Sequence, residues 1–153
     1  MFGEEPYERE IRELARDLGL GERVEFRGFR EDIWGELASF DVLVHASVIP
    51  EPFGQVVLEG MAAGLAVIAP DEGGPASLIS DGDTGRLFRS RSMESLAAAM
   101  LALRESPGER ERLGSAALKA IGAYDPRVLA ERLQELYERV ATPRARDGHL
   151  SPR

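Results

Sequence analysis

The residues best placed to do chemistry are two carboxylates in the segment IPEPFGQVVLEGMAAGLAVIAP, residues 49–70. Glu51 falls in a turn punctuated by Pro and Gly; Glu59, eight positions on, falls in a nearly all-apolar run. Pro52 suits the first position of a helix, where its missing N–H costs nothing. The amides of Phe53, Gly54 and Gln55 are then free at the positive end of that helix. Gly54 lets a ligand approach the backbone closely. Such a helix start suits a phosphate or pyrophosphate. The neighbours of Glu59 are Val56, Val57, Leu58, Met61, Ala62 and Ala63, and burying a carboxylate among them is costly unless it is hydrogen-bonded. The vicinal hydroxyls of a ribose would supply two donors. Carboxylate, amides and second carboxylate thus fit one elongated ligand of sugar, pyrophosphate and ribose. Taken singly, Glu59 reads as a solvated helix residue and Glu51 as a charge favouring the helix dipole. The combination after a buried strand is what points to a ligand.

Strands alternating with helices must position these groups. Residues 5–19 carry Ile11, Leu14, Ala15 and Leu18 at helical spacing. RVEFRGF alternates apolar and polar residues and reads as a strand. Residues 31–40 read as a short helix with Ile33, Trp34 and Leu37, and Trp34 is expected in the core or as an anchor on the helix face. DVLVHAS (41–47) and LAVIAP (65–70) are continuous apolar runs, as in parallel strands buried on both faces. Between them a helix runs from about Phe53 to Ala63 and is closed by Gly64. EGGPASLISDG holds a Gly-rich turn and one helical turn, and TGRLFR (84–89) a last strand. Three helices follow. One spans 92–106 with Ser92 as N-cap, one 108–124, and one 125–141 opened by Asp125 and Pro126. Residues 142–153 show no periodicity and are expected to be disordered. The class is α/β, a Rossmann-like doubly wound parallel sheet with flanking helices. About four strands are expected, fewer than the usual five or six, with the deficit at the N-terminus.

Composition removes other classes. The 153 residues include 43% hydrophobic residues, which is globular rather than disordered. A net charge of −8 argues against nucleic-acid binding through a bulk basic field. There is no cysteine for disulfides or thiolate ligands, and His45 and His149 are too few for a histidine metal cluster. No apolar run has the length of a membrane span, and MFGEEPYERE lacks the pattern of a signal peptide, so a soluble cytoplasmic protein is expected. His45, at the end of a buried strand, reads as a satisfied structural histidine, with pocket lining as the alternative. The arginines around Arg110 to Arg112 read as a solvated helix face.

EPFGQVVLEGMAAGLAVIA closely resembles the E-P-F-G-x-x-x-x-E-A-M-A-x-G-x-P-V-I-A signature of the group 1 retaining glycosyltransferases. GLGERVEFRGF, DEGGPASLISDGDTGRLF and LAERLQELY are similar to further segments of that family, so the resemblance covers about residues 3–140. It implies the C-terminal, donor-binding domain of the two-domain GT-B fold, here residues 1–141, and transfer of a hexose with retention and without a metal or cofactor. Glu51 would be the catalytic-site residue that contacts donor-sugar hydroxyls, without being named a nucleophile. Phe53, Gly54 and Gln55 would face sugar and diphosphate, Val56 would lie near the nucleotide, and Glu59 would bind the ribose. Gly28, Phe29 and Arg30 would flank the base. The partner would be a UDP-, GDP- or ADP-sugar.

The departures from the family pattern set further expectations. The acceptor domain and the Arg/Lys pair that binds the diphosphate have no counterpart here, so this chain alone is expected to bind weakly and turn over little. Gly60 and Ala66 replace the usual Ala and Pro, and Ser77 stands where the family often has Glu. The incomplete sheet edge would favour self-association, as a homodimer, and the sequence leaves the oligomeric state open. The alternatives are a non-catalytic fragment or self-associating module and, further off, a nucleotide-sugar epimerase. A dinucleotide oxidoreductase is disfavoured because no G-x-G-x-x-G follows a strand.

Overall fold

The computed structural model describes residues 6–141. The chain divides into two compact units, Met1–Ile33 and Trp34–Arg153. In the first, α1 (Pro6–Asp17) forms where the apolar spacing predicts it. Ala15 is its buried residue, while Leu14 and Leu18 remain exposed. The expected strand RVEFRGF does not form: residues 24–30 adopt no regular structure. A strand is held by hydrogen bonds to a neighbour, and alternation alone cannot replace them. Phe26 instead lies under the Arg12 guanidinium, 4.2 Å from the ring centroid. The proposed tail, residues 142–153, lies outside the described residues.

From α2 (Ile33–Leu37) onward come β1 (Val42–Val44), α3 (Gln55–Ala62), β2 (Ala66–Pro70), α4 (Gly73–Leu78) and β3 (Arg86–Phe88). Then follow α5 (Met93–Glu105), α6 (Pro107–Ala120), a 3-10 turn (Ile121–Tyr124) and α7 (Pro126–Ala141). The sheet is parallel, in the order β1-β2-β3, so among the described residues it has three strands rather than four. Val42 pairs with Ala66 and Val44 with Ile68; Ile68 pairs with Arg86 and Pro70 with Phe88.

Every residue of β2 is buried, because strands flank it and helices cover both its faces. Its side chains alternate between two clusters. Val67 and Ala69 join Leu43, Val57, Met61, Leu78 and Ile79. Ala66 and Ile68 join Phe88, Leu103 of α5 and Leu113 of α6. Truncating Met61 or Ile68, both fully buried, to Ala would cost about 2–5 kcal/mol.

The helix ends follow their sequence signals. Gly64, at φ +73°, closes α3; its N–H donates to the Met61 carbonyl and that of Leu65 to the Gly60 carbonyl, the paired bonds of a Schellman turn. The Ser92 hydroxyl accepts from the Ser95 amide at the start of α5. Asp125 caps α7 by accepting from the Arg127 amide at 2.8 Å. Trp34 is 55% exposed, which removes the core alternative and leaves that of an anchor on the helix face. One expectation fails. Arg110 is no solvated bystander: its Nη1 donates to the carbonyls of Leu103 and Arg104 at the C-terminal end of α5, where the Leu103 carbonyl also accepts from the Ser106 amide. α7 buries no residue and leaves Leu129, Leu133 and Leu136 exposed. Among the described residues no helix is long and apolar enough to cross a membrane.

Candidate functional site

All three strands are parallel, so their carboxyl ends share one edge, where open α/β sheets bind ligands. Three loops leave that edge: residues 45–54 after β1, 71–72 after β2 and 89–92 after β3. The third is tied to the other two, and the first to the start of α4, into which the second leads. The Gly74 amide donates to the Glu51 carbonyl at 2.7 Å. The Ser90 amide donates to Asp71 Oδ1 at 2.9 Å, and the Ser90 hydroxyl donates to Glu72. Arg91 reaches back with Nε and Nη2 to the Val48 carbonyl, at 3.3 and 3.2 Å. Arg91 holds a left-handed backbone, φ 59°, a conformation that costs about 1–3 kcal/mol in a residue with a side chain.

The residues predicted from sequence occupy this edge in part. Glu51 lies in the first loop, with a 41% exposed side chain. Its Oε2 is buried and lies 3.3 Å from Nε2 of His45, the residue that follows β1. His45 is not the satisfied histidine expected: its Nε2 has no hydrogen-bond partner. Pro52 is not the first helical residue. α3 begins at Gln55 and is capped by Gly54, whose left-handed backbone, φ 90° and ψ 52°, turns the chain into the helix. The first-turn amides of α3 donate late: those of Val57 and Leu58 go to the Gly54 carbonyl. The amides of Phe53, Gly54, Gln55 and Val56 take no acceptor among the described residues. Four N–H groups are therefore available at the positive end of α3, one more than the spacing implied.

Glu59 is not buried. The buried face of α3 is Val57, Gly60 and Met61. Glu59 falls beside it, one turn from Gln55, and accepts a 3.0 Å bond from the Gln55 side-chain amide. Apolar neighbours in sequence are not neighbours in space when the period is 3.6 residues. Gly28, Phe29 and Arg30 belong to the first unit. There Gly28 has φ +62° and Phe29 is 88% exposed.

Sequence reasoning missed the residues that shape the loops. A Cβ on Gly73 would lie 2.8 Å from the Glu51 carbonyl oxygen, and one on Gly74 2.4 Å from Cα of Phe53. The Gly pair thus lets α4 start directly against the Glu51–Phe53 backbone. Ser77 turns its hydroxyl to the Gly74 carbonyl at 2.7 Å and so serves α4 itself. Gly60 has a packing reason too: a Cβ there would meet Leu43 at 3.0 Å and Val67 at 3.1 Å. No group of three or more His, Cys, Asp or Glu able to hold a metal ion occurs among the described residues. The arrangement is a row of backbone donors beside an oriented carboxylate, suited to an anion carrying a hydroxylated group.

Residues 1–120 match the family described as glycosyl transferases group 1. The chain belongs to that family. It is 36% identical over 126 residues to a phosphatidyl-myo-inositol mannosyltransferase of Mycobacterium leprae, covering 81% of this chain and 34% of the relative. Among solved structures it is similar to HepE of Anabaena in complex with UDP. The TM-score there is 0.80 at 33% identity, over 94% of this chain and 39% of that one. HepE has also been solved with UDP-glucose. Sucrose-phosphate synthase of Thermosynechococcus elongatus is similar at TM-score 0.80 and 28% identity, over 91% of this chain and 37% of that one. The chain thus spans between a third and two fifths of the length of these proteins. The GT-B resemblance of the sequence is borne out, and with it the α/β class.

Proposed function

We propose that residues 1–141 form the donor-binding part of a retaining, metal-independent hexosyltransferase that uses a nucleoside diphosphate sugar. The observation that carries this reading is the row of four unpaired amides, Phe53 to Val56, beside Glu51 in a group 1 glycosyltransferase chain. The amides receive the diphosphate and stabilise it as the leaving group. Glu51 accepts hydroxyls of the sugar. Glu59, on the exposed side of α3, takes the ribose and exchanges its Gln55 contact for two hydroxyls. Among UDP, GDP and ADP donors, UDP-glucose is the first to test, since HepE was solved with it. The 153-residue chain spans about a third of its mannosyltransferase relative, and on its own it binds donor without substantial turnover. The protein works in the cytoplasm, where nucleotide sugars are made.

Calorimetric titration with UDP, GDP, ADP and their sugar conjugates tests this. Saturable binding of one series, weakened by Glu59→Ala, is expected. A folded chain that binds none of them overturns the reading.

A second reading is a self-associating module without turnover. It is favoured by β1, which pairs with β2 and has no strand on its other side among the described residues. Gel filtration separates monomer from dimer.

A further inference from the structure

We propose that His45 is the positioning residue for Glu51, donating Nε2–H to Oε2 and leaving Oε1 to a sugar hydroxyl. The geometry of the pair carries the first half; what Oε1 meets rests on the donor-binding reading above.

Both partners are fixed through their backbones. The His45 amide donates to the Ile68 carbonyl at 2.8 Å, so the residue continues the register of β1 beside β2. The Glu51 carbonyl is held by the Gly74 amide. Their side chains then meet at 3.3 Å, with His45 only 11% exposed. Nε2 and Oε2 are each buried and neither makes a hydrogen bond: at 3.3 Å the two lie within reach but out of line. A buried polar atom without a partner loses its hydration and gains nothing in return. Here two such atoms lie 3.3 Å apart, and a small rotation of either side chain would let one proton satisfy both. An ionised carboxylate can only accept, so the proton must sit on Nε2. With the proton on Nδ1, two lone pairs would face each other in a buried place. An aliphatic residue at position 45 would leave Oε2 buried and alone.

The consequence falls on Glu51. Its side chain is 41% exposed although Oε2 is buried, so the accessible part lies elsewhere on the group. Oε1 has no partner among the described residues. A carboxylate held at one oxygen presents the other in a single direction, which favours a hydroxyl of fixed position over water. His45 therefore governs discrimination between a nucleotide and its sugar conjugate, without touching the sugar.

The test has two parts, both on the 153-residue chain. Long-range nitrogen–proton correlation spectra, at about pH 8 where an ordinary histidine is neutral, report the tautomer. The Nε2–H form is expected for His45, with its signals displaced in Glu51→Ala. The Nδ1–H form, or signals indifferent to Glu51→Ala, overturns the proposal. The second part is titration with UDP and UDP-glucose. His45→Leu should lose about fivefold or more of the preference for UDP-glucose and bind UDP as before, the scale of one hydrogen bond. His45→Gln, whose side-chain amide keeps a donor near the place of Nε2, should restore most of it. Undiminished preference in His45→Leu overturns the proposal. If His45→Leu does not fold, the spectra decide. A tautomer as expected in a chain that binds neither compound would sink the donor reading and leave the pairing standing.

Discussion

Gly74 sits directly against Phe53: a Cβ on Gly74 would lie 2.4 Å from the Phe53 Cα and 2.4 Å from its carbonyl oxygen. No side-chain rotation relieves a clash with backbone. Gly74→Ala must push the Glu51–Phe53 segment away from α4 and stretch the 2.7 Å bond from the Gly74 amide to the Glu51 carbonyl. The amides of Phe53 to Val56 then lose their alignment. We expect Gly74→Ala to lower nucleotide-sugar affinity by about tenfold or more, since misplacement by an ångström has that scale of effect. The buried clusters around β2 contain neither residue, so the fold should survive. Titration beside a circular dichroism melt checks both halves; unchanged affinity would show that the loop is not held where this contact puts it.

Gly114 makes the corresponding contact in the core. α6 crosses the Gly64 turn so closely that a Cβ on Gly114 would lie 2.0 Å from the Gly64 carbonyl oxygen. Gly114→Ala should therefore destabilise by about 1–3 kcal/mol or more, as overpacking does. Gly108, in the first turn of the same helix, has nothing within 4 Å of an added Cβ. Gly108→Ala should instead be neutral or stabilising by up to about 1 kcal/mol, through better helix propensity. Urea denaturation of the two variants should give opposite signs, and equal losses would refute the packing account.

These contacts mark where the sequence stops being legible. Local signals are enough for α1, for β2 as a strand buried on both faces, for the Gly64 turn and for the Ser92 and Asp125 caps, because each depends on neighbours a few residues away. The strand expected at 23–29 fails because pairing is a property of two segments, and alternation is visible in one. Pro52 is displaced from the helix because Gly54, with its left-handed backbone, caps first. Glu59 looks buried in the linear sequence, yet helical rotation sets it beside the apolar face. The lacing of Gly74 to Glu51, Ser90 to Asp71 and Arg91 to Val48 joins residues up to 43 positions apart, and no spacing rule encodes it. His45 carried a signal that was open to reading, a histidine at the end of a strand that precedes the motif carboxylate.

Arg110 closes the end of α5 from the neighbouring helix. Its Nη1 lies 2.6 Å from the Leu103 carbonyl and 3.2 Å from that of Arg104. A cation suits the negative end of a helix and satisfies carbonyls that have no intrahelical donor. Arg110→Ala should cost about 1–2 kcal/mol. Glu111→Ala, on the exposed side of α6, should stay within about 0.5 kcal/mol. Because the bond of Arg110 to the Leu103 carbonyl is partly buried, most of the cost should persist in high salt. A loss that salt abolishes would reduce the contact to a surface charge effect.

Glu109 joins two arginines. It accepts from Arg112 Nε and Nη2, both at 2.9 Å, and from Arg86 Nη2 at 3.2 Å. The Arg112 hydrogen bond is the largest cause holding its carboxyl below the ordinary range, and Coulombic attraction to Arg112 and Arg86 adds to it. A carboxyl whose folded value is depressed contributes stability above its unfolded value, and that contribution is lost as pH falls through the folded one. Wild type should therefore melt above Glu109→Gln at neutral pH, with a small margin since the network is exposed. The margin should narrow as pH falls from about 5 toward 3, the range over which carboxyls protonate. Paired melts across that range check it. A margin constant with pH would mean that Glu109 acts through packing or helix propensity, and that its charge contributes nothing to holding β3 against α6.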